Sequence, residues 1–374
     1  MKLLIPGPVE LASDVLHSMS RPPMGHRTPD FEEILENCWD NLKKIFQTKN
    51  DILIITGSGT SAMDAAISST MNKGEEIICI GGGKFGERFI EISDVYGLIS
   101  KEVKVEWGDG VTLEKVEEVI AESNATAITL THNETSTGVV HDGRALGKLA
   151  KEYGLLYIMD GVTSIGGDEV EVDKWGVDIC ITGSQKCLAG PPGLAMMSVS
   201  NEAWNKIDKK DKTNYYLNLA SYKRALRKKT TPYTPSVSLI YGLQASLKNV
   251  VKEGLQKRVK RHRTLAKATR EACKAMNTQM FSRENVASNT VTAIKIPEGI
   301  TDDDIRGRMK RDHGILIAGG QAQLKGKIFR IGHMGNVGYS DIKDALTSLE
   351  SVLIKSGHGL ERGAGIKVAE EIFK

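Results

Sequence analysis

From Asp51 onward, short apolar runs alternate with longer stretches in which apolar residues recur every three or four positions. Residues 52–56, 76–80, 127–131, 155–160 and 178–182 read as strands, and residues 61–71, 85–96 and 144–153 between them read as helices. Short connections between such units imply a mostly parallel sheet covered by helices on both faces, an α/β architecture. A helical pattern over about 236–270 separates this block from a different texture. There the pattern predicts a strand at 290–296, a helix at 302–313, a strand at 328–331 and a helix at 341–356, which together form a smaller α+β region. Residues 356–365 read as a loosely ordered stretch before a short terminal helix, and no internal repeat is present.

Composition narrows the class. The chain has 374 residues, 40% hydrophobic and 26% charged, a globular balance that excludes disorder and collagen-like structure. Single cores stop growing at roughly 250–300 residues, so a large and a smaller domain are expected. Fifty Lys and Arg against 47 Asp and Glu give a net charge of +3, too small to make nucleic acid or membrane the main partner. Basic clusters at 209–212, 224–229 and 257–263 lack interleaved aromatic residues and read as solvated faces. Cys38, Cys79, Cys180, Cys187 and Cys273 contain no CxxC pair, and no two of the eight histidines stand four apart. Neither a disulfide framework nor a metal site is expected, and a reduced cytoplasmic setting fits best. Pro6 interrupts the N-terminal apolar residues too early for a signal peptide, and no apolar run approaches the roughly 18 residues of a membrane span.

In an open parallel sheet, ligands bind beyond the carboxyl ends of the strands. Four things are delivered there. Gly57-Ser58-Gly59-Thr60-Ser61-Ala62 forms a glycine-rich turn opening a helix, suited to a phosphate. It also fits a loose GxGxxA, but the next strand ends in Gly81-Gly82-Gly83 with no acid for a ribose hydroxyl, which weakens a dinucleotide site. Phe85 follows those glycines and can stack on a flat ring. Asp160 ends an apolar run, where a buried carboxylate needs a cationic partner. Lys186 lies in the turn-rich loop after the next strand. A phosphate cradle, a stacking aromatic, a buried acid and a lysine at one sheet edge are the set that pyridoxal phosphate requires: lysine for the Schiff base, acid for the pyridinium nitrogen, helix N-terminus for the phosphate.

With these residues in view, the chain resembles the class V, fold type I aminotransferases, and within them the alanine-glyoxylate and serine-pyruvate group. The resemblance runs through Pro6-Gly7-Pro8, Gly25 to Pro29, Gly57 to Thr60, Lys84 to Arg88, Thr131 to Gly138, Asp160 to Ser164, Gly183 to Lys186, Thr231 to Thr234 and Arg330 to Gly332. It implies a mostly parallel, seven-stranded type of sheet sandwiched by helices, with residues 15–254 as the large cofactor-binding domain. Residues 255–374 would form the small domain, with 1–14 packing against it. It implies pyridoxal 5'-phosphate as cofactor, with Lys186 bearing the Schiff base and Asp160 paired to the ring nitrogen. Ser58, Gly59 and Thr60 would hold the phosphate, Phe85 would stack on the ring, and Thr135 and Gln185 would make further polar contacts. Thr231 and Thr234 match positions that reach the phosphate from a partner subunit, so a homodimer with shared sites is implied. Arg330 matches the residue that grips the substrate α-carboxylate, with Gly7 beside it. Where members of the group often carry tryptophan on the cofactor face, this chain has Phe85.

The resulting expectation is a ping-pong transfer from a small L-amino acid, alanine, serine or similar, to glyoxylate or pyruvate. An aspartate or broad-specificity enzyme is the alternative. A desulfurase would need a nucleophilic cysteine near the small domain, and residues 318–327 contain none. A nicotinamide-dependent oxidoreductase rests on the glycine turn alone, and a non-catalytic binding protein would be expected to have lost Lys186, Asp160 or Arg330.

Overall fold

The computed structural model describes all 374 residues. Its largest sheet has seven strands: β1 (Asp51–Thr56), β2 (Glu76–Ile80), β3 (Ile99–Val103), β4 (Ala127–Thr131), β5 (Leu156–Asp160), β6 (Ile179–Gly183) and β7 (Leu194–Val199). Their order is β1-β7-β6-β5-β4-β2-β3, with β7 running antiparallel to both neighbours and the other pairings parallel.

Strand periodicity explains the layering. Successive side chains face opposite sides of a sheet, so Ile52 and Ile54 enter one core cluster while Leu53 and Ile55 enter another. The same division places Tyr157 and Met159 on one side and Ile158 on the other. Both faces are therefore dry, which is why these strands read as continuous apolar runs. A fully buried Ile or Leu contributes roughly 1.5–3 kcal/mol, and these two clusters hold 37 and 26 buried residues.

The chain then forms helices at Val237–Glu253 and Leu255–Ala275, broken at Gly254, whose φ is +85°. The helical pattern over 236–270 is thus two helices, because the glycine adopts a backbone conformation that other residues rarely tolerate. Beyond them, β8 (Val291–Lys295), β9 (Ala318–Gly319) and β10 (Ile328–Gly332) make an antiparallel sheet in the order β8-β10-β9. A third cluster of 21 buried residues backs it, drawn from residues 265–369 together with Leu4. Lys2 and Leu3 pair in parallel with Ile315 and Leu316, which ties the N-terminus to this region. Residues 302–313 contain a π-helical segment, Asp303–Gly307, before the α-helix Arg308–His313. No helix is long and apolar enough to cross a membrane.

Candidate active site

The carboxyl ends of β1, β2, β4, β5 and β6 deliver their loops to one cavity of about 140 Å³. Ser58, Gly59, Thr60, Phe85, Thr135, Asp160, Gln185 and Lys186 all line it. β1 leads through Gly57 into the helix Gly59–Thr70, whose N-cap residue Ser58 makes no side-chain cap bond. The first N–H groups of that helix lack intrahelical partners and carry its positive dipole end, a standing site for an anion. A Cβ on Gly59 would lie 2.8 Å from Val162 Cγ2, so the close approach of the two loops requires glycine there.

β5 ends in Asp160, 4% exposed, whose carboxylate accepts one hydrogen bond from Val162 N–H at 2.8 Å. Burial pushes its pKa up to about 6, partly opposed by the Val162 bond and by the charges of Arg88 and Lys186. Lys186 follows β6 by three residues; burial depresses its amine to about 8. Its Nζ donates to the Pro6 carbonyl. A Cβ on Gly7 would meet Lys186 Cδ at 2.4 Å, so the N-terminal segment closes over the lysine with no room for a side chain.

Arg330 on β10 is 5% exposed and does not line the cavity itself. Its Nη1 donates to the Thr135 carbonyl at 2.6 Å, while Nε and Nη2 donate to the Gly319 carbonyl at 2.9 and 2.7 Å. Burial lowers its pKa to about 10, which leaves it charged at neutral pH. Two of the guanidinium's five N–H donors remain uncommitted. Thr231 and Thr234 stand apart from the cavity of their own chain. The Thr231 hydroxyl donates to the Tyr233 carbonyl at 2.7 Å, Thr231 lines a separate surface cleft with Arg27 and Tyr233, and Thr234 is exposed.

Three residues without a role in the sequence reading belong to the site. Arg88 lines the cavity, donates to Thr60 Oγ1 at 3.0 Å and lies 4.6 Å from the Phe85 ring centroid. Its signal was the spacing of three from Phe85 on one helix, which puts both on one face. Glu134, 1% exposed, accepts from Phe85 N and Gly86 N at 2.9 and 3.0 Å and from Ser136 N and Oγ at 3.0 and 2.6 Å. It therefore fixes the start of the helix Lys84–Val95. Asn133 donates to the Thr163 and Thr290 hydroxyls at 2.9 and 2.6 Å. Both lie in a quoted motif, but the loop path that makes them converge has no local sequence signature.

Asn133 Oδ1 and Gln185 Oε1 are buried without a hydrogen-bond partner. Such groups cost about 1–3 kcal/mol when left unmet, and a polar ligand in the cavity would relieve them. All five cysteines are buried and unpaired, and none lines the cavity. Cys187 donates to the Thr163 carbonyl at 3.2 Å, and burial pushes its thiol up to about 12, which makes it a packing group rather than a nucleophile.

The sequence profile of the family described as aminotransferase class-V matches residues 13–334. The chain is 47% identical over 374 residues to an uncharacterized aminotransferase of Methanocaldococcus jannaschii, an alignment covering 99% of this chain and 97% of that protein. It is 39% identical over 376 residues to a protein named soluble hydrogenase, small subunit, from a Synechococcus species, covering 99% and 98%. Among solved structures, ureidoglycine-glyoxylate aminotransferase from Bacillus subtilis superposes with a TM-score of 0.96 at 31% identity, covering 99% of this chain and 97% of that one.

Proposed function

The chain belongs to the class V aminotransferase family, and from that premise we propose that it uses pyridoxal 5'-phosphate to move the amino group of a small L-amino acid, such as alanine or serine, to glyoxylate or pyruvate. The observation that carries this reading is the convergence of Lys186, Asp160 and an uncapped helix N-terminus on one cavity. The unmet oxygens of Asn133 and Gln185 support a polar ring-bearing ligand there. When bound, the cofactor supplies an aldehyde for the lysine and a ring that takes up the electron pair released at the substrate's α-carbon.

The residues then divide the work. Ser58, Gly59 and Thr60 would hold the phosphate at the helix N-terminus, and Phe85 would lie against the ring. Asp160 would keep a proton on the ring nitrogen, an ion pair formed away from water and therefore strong. Lys186, whose amine burial depresses to about 8, would in its uncharged form carry the proton from the substrate's α-carbon. Arg330, already held by two carbonyls, would take the α-carboxylate on its free donors. Arg88, the one arginine that lines the cavity, is directed at Thr60 and the Phe85 ring, an arrangement that favours a small uncharged donor over one with a distal carboxylate. The two half-reactions would share the site, the donor leaving as its 2-oxo acid before the acceptor enters.

On the same reading, residues 15–254 form the cofactor domain, and 255–374 with 1–14 form the small domain. Thr231 and Thr234 would complete the phosphate site of a second subunit. Five unpaired cysteines support a cytoplasmic setting. The test is an absorption spectrum of the purified protein with pyridoxal phosphate, before and after L-serine or L-alanine, with Lys186→Ala as control. A visible band that bleaches with the amino acid and is missing in the control is expected; no band in the unmutated protein would refute the assignment.

A further inference from the structure

A charge cluster outside the cavity, centred on one buried arginine, has no part in the chemistry described above. Arg258, 2% exposed, lies on the helix Leu255–Ala275. Its Nη1 donates to Glu253 at 2.5 Å, its Nη2 to the carbonyl of Cys187 at 2.5 Å and its Nε to the carbonyl of Gly166 at 3.1 Å. Glu253 also receives Arg261 at 2.7 and 3.0 Å. Arg261 in turn donates to the carbonyls of Gly335 and Val337 at 2.9 and 2.5 Å. The Gly335 N–H donates to His262 Nε2 at 3.0 Å.

These contacts fall on three loops. Gly166 lies on the turn after Asp160, Cys187 directly follows Lys186, and Gly335 and Val337 follow the strand that carries Arg330. The loops also touch one another: a Cβ on Gly335 would come within 3.3 Å of the Lys186 carbonyl oxygen. A buried arginine bonded to carbonyls is costly to desolvate, and apolar packing of the same volume would serve stability at least as well. Its planar fork instead fixes direction, because several N–H donors must be met at set angles.

We propose that the Glu253–Arg258–Arg261 cluster is a positioning device that holds the loops of Asp160, Lys186 and Arg330 in register, with Arg258 as its central residue. The inference rests on the function proposed above. Arg258 touches no part of the cavity, so it acts through the peptide after Lys186 and not on substrate.

The experiment compares the unmutated protein with Arg258→Met, Arg258→Lys and Glu253→Gln, all freed of cofactor. The rate at which the visible band of lysine-bound pyridoxal phosphate develops is read beside the single-turnover bleaching rate with L-serine and the melting temperature. Ile207→Ala, a cavity-forming change in the core cluster on one face of the large sheet, gives a control in which stability falls for a different reason. In Arg258→Met, band development and bleaching are expected to slow about tenfold or more, equivalent to about 1.4 kcal/mol of barrier. Arg258→Lys keeps the charge and part of the bonding and is expected to recover part of the rate. Should Arg258→Met not fold, Glu253→Gln carries the test with a slowing of about threefold. The inference is overturned if a folded variant forms and bleaches the band at the original rate, or if Ile207→Ala with a comparable melting loss slows both steps equally. An unmutated protein that forms no band overturns the proposed function instead.

Discussion

Burial moves Asp160 and Lys186 toward one another on the pH axis, the acid up to about 6 and the amine down to about 8. For Asp160 the folded pKa lies above its ordinary 3.8, so the folded protein holds the proton more tightly than the unfolded chain. Its contribution to stability is therefore most favourable at low pH and declines as pH rises from about 4 to 6. Asp160→Asn removes that penalty. The cofactor-free variant is expected to gain up to about 3 kcal/mol over the original at pH 7 and little at pH 4, from a shift of about two pKa units at 1.36 kcal/mol each. Urea unfolding across this range checks it, and a pH-independent difference would contradict the assignment of the shift to Asp160. For Lys186, only the uncharged amine attacks an aldehyde. The initial rate of band formation should climb about tenfold per pH unit below about 8 and level off above it. A rate still climbing past pH 10 would mean an amine with its ordinary affinity for the proton.

Most strands with two dry faces were legible in the sequence, and the strand at the sheet edge was not. β1, β2, β4, β5 and β6 read directly because both faces are dry, and the sites at their ends followed from topology. β3, Ile-Ser-Lys-Glu-Val, sits at the sheet edge with Lys101 and Glu102 at least partly solvated, and its pattern carries no strong period. β7, Leu194–Val199, is buried along its whole length yet is not among the strands read from the sequence, and its antiparallel direction has no signature in the periodicity. Long-range convergence was invisible for the same reason: Glu134 and Phe85 are 49 residues apart, and nothing local couples a strand-end acid to a distant helix start. That coupling makes its own prediction. Four donors meet the two oxygens of Glu134. Glutamine offers one oxygen, so Glu134→Gln turns an NH₂ toward two donors and is expected to destabilise the protein by about 1–3 kcal/mol. The same change should weaken cofactor binding, because Phe85 and Arg88 ride on the helix it anchors. Chemical denaturation alongside a pyridoxal phosphate titration measures both, and unchanged binding in a destabilised variant would mean that the helix start does not set the site.

At the scale of the whole molecule, Arg330 is held beside the cavity because it donates to the carbonyl of Thr135, which lines it, and Gly7 lies near it because the N-terminus folds over Lys186. Thr231 and Thr234 do not reach it at all within one chain. If they complete the site of a second subunit, the two halves of each site come from different chains, and mixing defective chains separates this arrangement from any other. A hybrid of a Lys186→Ala chain with a Thr231→Ala, Thr234→Ala chain would then contain one site with both defects and one with neither. The second site takes its lysine from the threonine-defective chain and its threonines from the lysine-defective chain. Purified hybrid, made with two affinity tags, should bind pyridoxal phosphate with the original affinity at one site per dimer and show about half the original turnover. Were the threonines to serve the site of their own chain, every site would carry one defect and no such site would appear. Phosphate-free pyridoxal provides the internal check. Its binding should differ little between the original protein and the threonine variant, because those two side chains would act on the phosphate alone.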